Sequence, residues 1–205
     1  MELKLAYRTL TKDPVLKKVI SKTGKFTLSG KNEIYISLLH SIASQQLSSN
    51  AGDTIFGRFL DLFPARNPVP EKVLKCKPEV LRGCGLSVAK ASYMQNIARF
   101  KMDGGLDLRK LKRLEDQELI NHLTQVKGVG RWTAEMILMF TLNRPDVLPL
   151  DDVGIQNAIK ILYNLEGRGK EIHHQMIEVA ESWRPHRTLA CRHLWRYSDV
   201  LKSGK

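Results

Sequence analysis

Apolar residues recur along the chain at helical spacing almost everywhere, and none of its segments alternates polar and apolar as a half-buried strand would. Ile34, Leu38, Leu39 and Ile42 share one face of a predicted helix, with Asn32 as a cap ahead of it. Ala51, Ile55, Phe56, Phe59 and Leu60 mark a second helix, capped by Asn50. Between them lies a short polar turn, Gln45-Gln46-Leu47-Ser48-Ser49, carrying one leucine. Pro64, Pro68 and Pro70 predict a loop. Ser87 starts a helix running from about Val88 to Phe100, and Lys101 to Gly105 end it. Asp116 caps a helix reaching Val126, and Gly128-Val129-Gly130 forms a tight turn. A further helix runs from about Arg131 to Leu142 and is stopped by Asn143-Arg144-Pro145. Helices from Val153 to about Leu165, from Ile172 to Ser182 and from about Pro185 to Asp199 complete the reading, with Gly167-Arg168-Gly169 as a break. The fold class is therefore all-α, without internal repeats.

The chain has 205 residues and 42% hydrophobic content, ordinary for a globular protein of one domain or two small lobes. Its 33 basic residues outnumber the 21 acidic ones, a formal net charge of +12. A balance of this kind suits a polyanion, with nucleic acid the leading candidate, although a merely soluble basic protein would show it too. The basic residues are spread along the chain, which predicts a folded basic face. The three cysteines, Cys76, Cys84 and Cys191, form no C-x-x-C pair and no set of four for zinc or iron–sulfur. An odd count and a start without an apolar signal core fit a reducing, intracellular compartment. No run of 18 apolar residues exists, so no membrane partner is expected. The six histidines show no metal-ligand spacing.

The tight turn is the strongest local signal. Helix, Gly-x-Gly turn and helix point backbone N–H groups at one spot, where a phosphate can sit against the dipole of the following helix. Lys127 and Arg131 add charge, and Thr133 adds a hydroxyl. An ordinary helix connection with a glycine cap would look similar. The pair Asp151-Asp152 precedes the next helix; one of them caps it, and the other is left to face a cleft. Leu47 is either a buried anchor or a wedge that fills the gap left by an extruded base. Trp132, Met136 and Met139 share a helical face, to be read as core or as the wall of a base pocket. Trp183-Arg184-Pro185-His186-Arg187 either opens a surface helix or closes the pocket and binds phosphate.

Five stretches in order resemble the helix–hairpin–helix DNA glycosylase superfamily, nearest its 3-methyladenine DNA glycosylase II branch. They are Ser44-Gln45-Gln46-Leu47-Ser48, Gly85-Leu86-Ser87-x-x-Lys90-Ala91, Val126 through Ala134, Leu150-Asp151-Asp152-Val153-Gly154-Ile155, and Trp183-Arg184-Pro185-x-Arg187. The resemblance spans about Ile34 to Trp195. It implies one glycosylase domain, 1–205, with a helical lobe at about 30–144 (its hairpin at 119–142), a second from 1–29 plus 145–205, and an active-site cleft between them. It implies that Asp152 is the catalytic aspartate and that Trp132, Met136, Asp151, Trp183 and His186 line the base pocket. DNA contacts are expected from Gln46, Leu47, Ser48, Lys90, Lys127, Gly128, Gly130, Arg131, Thr133 and Arg187, with Leu47 or Ser48 at the wedge tip. The carbonyls of Thr124, Val126 and Gly128 are expected to hold a Na+ or K+ ion; no other cofactor is required.

The expected activity is hydrolytic removal of N-alkylated purines, of the 3-methyladenine and 7-methylguanine type, from double-stranded DNA by a monomer. Two rivals are a non-catalytic damage-binding protein and a glycosylase for oxidised or deaminated bases. Lys127 stands where the family often has proline. Trp132 stands where glycosylase/lyases carry their Schiff-base lysine, which predicts a monofunctional enzyme. The iron–sulfur cysteines and the extra N-terminal β-domain of longer relatives are lacking, so a compact form is expected. His186 stands where an aromatic pocket residue is expected, which affects substrate range.

Overall fold

The computed structural model describes residues 3–27 and 33–202; the expected cap Asn32 lies outside them. Among the described residues every regular element is helical. The chain divides into two compact units. One comprises Met1–Gly30 with Asn143–Lys205, the other Lys31–Leu142.

The first unit opens with α1 (Leu3–Leu10) and α2 (Pro14–Thr23), which the sequence reading did not foresee. Asp13 starts α2: its Oδ1 accepts the N–H groups of Val15 and Leu16, and Pro14 occupies the first helical position, where a missing N–H costs nothing.

The second unit begins with α3 (Ile34–Ser44) and α4 (Ser49–Asp61). Ser48, not Asn50, caps α4, accepting from the Ala51 N–H at 3.4 Å. Asn50 lies inside the first turn, where its side chain cannot take the cap position. The segment read as a loop holds a one-turn 3-10 helix, Pro64–Arg66, and Pro70 starts α5 (Pro70–Lys75). Pro78 similarly starts α6 (Pro78–Gly83). Ser87 caps α7 (Val88–Met102) through the Lys90 N–H, as its position predicts. The single turn α8 (Leu108–Leu111) follows.

Glu115, not Asp116, begins α9 (Asp116–Leu123) through a reciprocal capping box with Glu118, and the helix ends three residues before Val126. After the glycine turn, α10 (Arg131–Met136) widens into a π-helical stretch, Ile137–Thr141, closed by the Leu142 N–H on the Ile137 carbonyl at 3.0 Å. Buried Leu38, Leu39, Ile42, Phe59, Met94, Ile97, Leu119, Leu123 and Leu138 fill the core of this unit.

The first unit then resumes with α11 (Val153–Tyr163), α12 (Lys170–Glu181) and α13 (Arg187–Lys202). Asp13 ties the two ends of the chain together: its Oδ2 accepts the Tyr163 hydroxyl at 2.6 Å and the Trp183 indole N–H at 2.9 Å. No helix among the described residues is long and apolar enough to cross a membrane.

Candidate active site

The second unit carries the turn between α9 and α10. Gly128 has φ +106°, a conformation open to glycine, and a Cβ there would lie 2.3 Å from Cγ of Tyr93. Both the backbone twist and the packed tyrosine therefore require glycine. Gly130 differs from Gly128: its φ is −86°, and it serves as the extended residue ahead of α10. A Cβ on Gly130 would meet nothing within 4 Å, so this glycine leaves open space above the first N–H groups of α10. Those N–H groups have no intrahelical acceptors and form the positive end of the helix dipole.

The side chains around the turn divide. Lys127 is exposed, while its carbonyl accepts the Asn96 amide at 3.2 Å. Arg131 is half-exposed and reaches Glu135 at 3.0 Å and Gln117 at 3.3 Å. Thr133 is 3% exposed, so most of its side chain is packed into the core. The carbonyls named for a cation are partly engaged: Val126 O accepts the Val129 N–H at 2.9 Å, and Gly128 O accepts the Gln45 amide at 3.0 Å. Each of these two keeps a second lone pair, so the neutral oxygen donors remain compatible with a hard monovalent ion. No cluster of His, Cys, Asp or Glu suited to a metal is found among the described residues.

The turn between α3 and α4 presents Leu47 to solvent at 43% exposure, a side chain the core has not claimed. Gln46 adopts positive φ, 59°, which turns the chain sharply there. Ser48 uses its hydroxyl as the α4 cap. Lys90, expected on DNA, instead directs its ammonium to the carbonyls of Ala43 and Gln45.

Met136 lines a cavity of about 480 Å³ beside the π-helical stretch, shared with Ser37, His40, Phe56 and Phe140. His40 Nε2 stands 2.7 Å from Asp53 and packs edge-on against Phe56. Phe140 and Trp132 are exposed at 42% and 41%, leaving two large aromatic faces on this unit. Met139, the third member of the stripe, is core. The stripe thus runs from surface to interior.

The first unit carries the acids. Asp152 is the α11 cap: Oδ1 accepts the Ile155 N–H at 2.8 Å and the Trp195 indole N–H at 2.9 Å. It is 9% exposed. Of the two acids, Asp152 is the one that caps the helix. Asp151 is mostly exposed, with His173 Nε2 at 3.7 Å. Gly154 makes room for the indole: a Cβ there would lie 3.3 Å from Trp195 Cδ1 and 3.1 Å from Asp152 Oδ1. Sequence reasoning missed Trp195, whose link to Asp152 crosses 43 positions.

Two expected contacts are replaced by others, and a third residue is buried. Trp183 is wholly buried and donates to Asp13, so it cannot face a base. His186 is also buried, and desolvation lowers its pKa. Arg187 is held on Asp146 by Nε at 2.7 Å and by a second nitrogen at 2.9 Å, a fork that leaves little of the guanidinium for phosphate. Arg184 shares the same carboxylate.

Comparison with known proteins gives these features a family. A model of the "HhH-GPD superfamily base excision DNA repair protein" matches residues 39–185. Over 177 residues the chain is 38% identical to DNA-3-methyladenine glycosylase 1 of Schizosaccharomyces pombe, covering 85% of this chain and 77% of that protein. The solved structure of a 3-methyladenine DNA glycosylase from that yeast in complex with abasic DNA superposes with a TM-score of 0.85 at 35% identity, covering 95% of this chain and 96% of that one. A DNA-3-methyladenine glycosidase structure from Bacillus halodurans gives a TM-score of 0.80 at 36% identity, covering 95% and 89%. The match over most of the chain, together with an all-helical fold carrying a glycine hairpin, makes this chain a member of the HhH-GPD superfamily of base excision DNA repair proteins.

Proposed function

We propose that the chain flips N-alkylated purines out of duplex DNA and hydrolyses their N-glycosidic bonds. The observation that carries the reading is Asp152, a carboxylate fixed at the start of α11 by two donors on one oxygen, in a chain similar to glycosylases named for 3-methyladenine.

An N3- or N7-alkylated purine already carries positive charge, so it departs without strong acid catalysis. The C1′–N bond breaks, and its electron pair leaves with the base. Asp152 stabilises the oxocarbenium character left on the sugar and orients the attacking water. The water oxygen bonds to C1′ and gives up its proton to the Asp152 carboxylate, which passes it to solvent, leaving a neutral free base and an abasic sugar. The yeast relative was solved with abasic DNA, the product type of this reaction. Trp132 offers an exposed ring to a cationic base, a contact that favours alkylated over normal purines. The cavity at Met136 supplies apolar wall around it.

On the DNA side, Gly128, Gly130, Lys127 and Arg131 form the backbone-contacting hairpin, with Gln46 and Leu47 at the minor-groove wedge. A Na+ or K+ ion on the carbonyls of Thr124, Val126 and Gly128 would add positive charge beside the phosphate. Trp132 in place of a lysine makes the enzyme monofunctional, so borohydride traps no covalent DNA adduct. One copy of the chain supplies hairpin, wedge and carboxylate, so a monomer suffices, acting wherever the genome is held.

The test is release of free base from methylated duplex DNA by wild type beside Asp152→Asn. Release by wild type alone supports the reading. Tight lesion binding without release by either would favour a damage-binding protein. Release only from oxidised or deaminated DNA would move the assignment to another glycosylase class.

A further inference from the structure

Lys90 lies in the first turn of α7, and its Nζ donates to Ala43 O at 3.0 Å and to Gln45 O at 2.7 Å. These carbonyls belong to the end of α3 and its cap, where backbone oxygens lack helical partners and a cation complements the dipole. Partial burial lowers the Lys90 pKa, so the ammonium has given up water for these two oxygens. Gln45, clamped in this way, directs its own side-chain amide to Gly128 O at 3.0 Å.

The same face of α7 continues onto the hairpin. Tyr93, three residues on, fills the space where a Cβ at position 128 would stand. Asn96, three further, donates to Lys127 O at 3.2 Å. Residues three apart on a helix are neighbours along one side. One rigid helical edge therefore holds the turn that carries Leu47 and the turn that carries Gly128 and Gly130.

We infer that Lys90 is a positioning residue for base extrusion: it holds the Leu47 turn in register with the hairpin, and it does not act as a phosphate ligand. The inference rests on the wedge reading of Leu47. A phosphate ligand would point three donors at solvent; this ammonium points at least two inward. A wedge must push against something fixed, and α7 is the fixed part.

The experiment measures single-turnover excision at saturating enzyme with N7-methylguanine in two substrates, one fully paired and one opposite an abasic analogue, where no pair must be broken. Lys90→Met keeps the apolar stem and removes the donors. It should slow excision roughly tenfold or more on the paired substrate and far less on the unpaired one. In a Leu47→Ala background the added loss should vanish, because both changes remove one device. Lys90→Arg should recover part of the rate. Where Lys90→Met does not fold, Gln45→Leu breaks the same chain of contacts and should give the same substrate dependence. Equal slowing on both substrates, or losses that multiply with Leu47→Ala, would overturn the role of Lys90. No release by wild type would overturn the glycosylase reading beneath it.

Discussion

Trp195 and Asp152, 43 positions apart, meet on a single oxygen: the indole N–H donates at 2.9 Å to the Oδ1 that also receives the Ile155 N–H at 2.8 Å. One carboxylate thus starts a helix and stands as the candidate catalytic group. The two duties separate by substitution. Asparagine caps helices as well as aspartate and keeps an oxygen for the indole. Asp152→Asn should therefore melt within about 1 kcal/mol of wild type while excision falls roughly 100-fold or more. Asp152→Ala should lose both, through the vanished cap and an indole donor left without this acceptor. Thermal melts beside base-release assays check the split; unimpaired release by Asp152→Asn would remove it from the chemistry.

Trp195→Phe tests the indole donor alone. The ring remains beside Gly154, but nothing of it donates to Oδ1. The carboxylate then loses one of its anchors, and the maximal excision rate should fall roughly tenfold with little change in DNA affinity. Single-turnover rates and binding isotherms measured together decide it.

The two hairpin glycines should behave oppositely. Gly128→Ala forces a methyl into Tyr93 at a positive φ, so it should destabilise the fold by about 1–3 kcal/mol. Gly130→Ala meets no neighbouring atom and should melt like wild type, yet bind DNA more weakly, because the methyl occupies the approach to the α10 N–H groups. Melting temperatures set beside DNA affinities separate the two effects.

Lys127 and Arg187, both expected on DNA from the sequence, should part company. Lys127 is exposed, and Lys127→Ala should lower the slope of log affinity against log salt by about 1. Arg187 is forked onto Asp146, and Arg187→Ala should cost about 2 kcal/mol of stability and leave that slope unchanged. Salt titrations of both variants give the answer.

His193 predicts an acid limb of stability in the first unit. It is fully buried, its Nδ1 lies 2.7 Å from the Thr23 hydroxyl, and desolvation together with Arg196 and Arg192 pushes its pKa down to about 4. Between the ordinary value of 6.5 and about 4, the unfolded chain binds a proton that the folded one refuses. Stability is therefore full above pH 6.5 and is lost as pH falls through that window, by up to roughly 3 kcal/mol. His193→Asn should flatten the acid limb in pH-dependent melts; an unchanged limb would place the titration elsewhere.

Local signals carried much of the fold. Ser87 before Val88, Asn143-Arg144-Pro145 after Leu142 and the Gly128 turn each act within a few residues, and each is visible as spacing. Short helices were not legible: α5, α6 and α8 span fewer than two turns, too little for a periodic face, and the proline that opens α5 and α6 reads as a loop marker. Local geometry at the candidate site was legible where the chain itself is the device, in the turn at Gly128 and the cap among Asp151 and Asp152. It was not where a distant partner decides. Nothing near Trp183 announces Asp13, and Arg187 reads as a free cation until Asp146 is seen to lie beside it. Trp195 went unnoticed because the residue it serves lies on another helix.

The carboxylate of Asp13 has a bearing on synthesis at the ribosome. Its Oδ1 is filled at once by Val15 and Leu16, but its Oδ2 is filled from Tyr163 and Trp183, which emerge 150 and 170 residues later. The continuous unit from Lys31 to Leu142 can close while the chain is still growing, whereas α2 must wait for α13, the later helix of its own unit on which it packs. A nascent chain stalled before Trp183 would therefore offer chaperones an α2 whose later partners are not yet made.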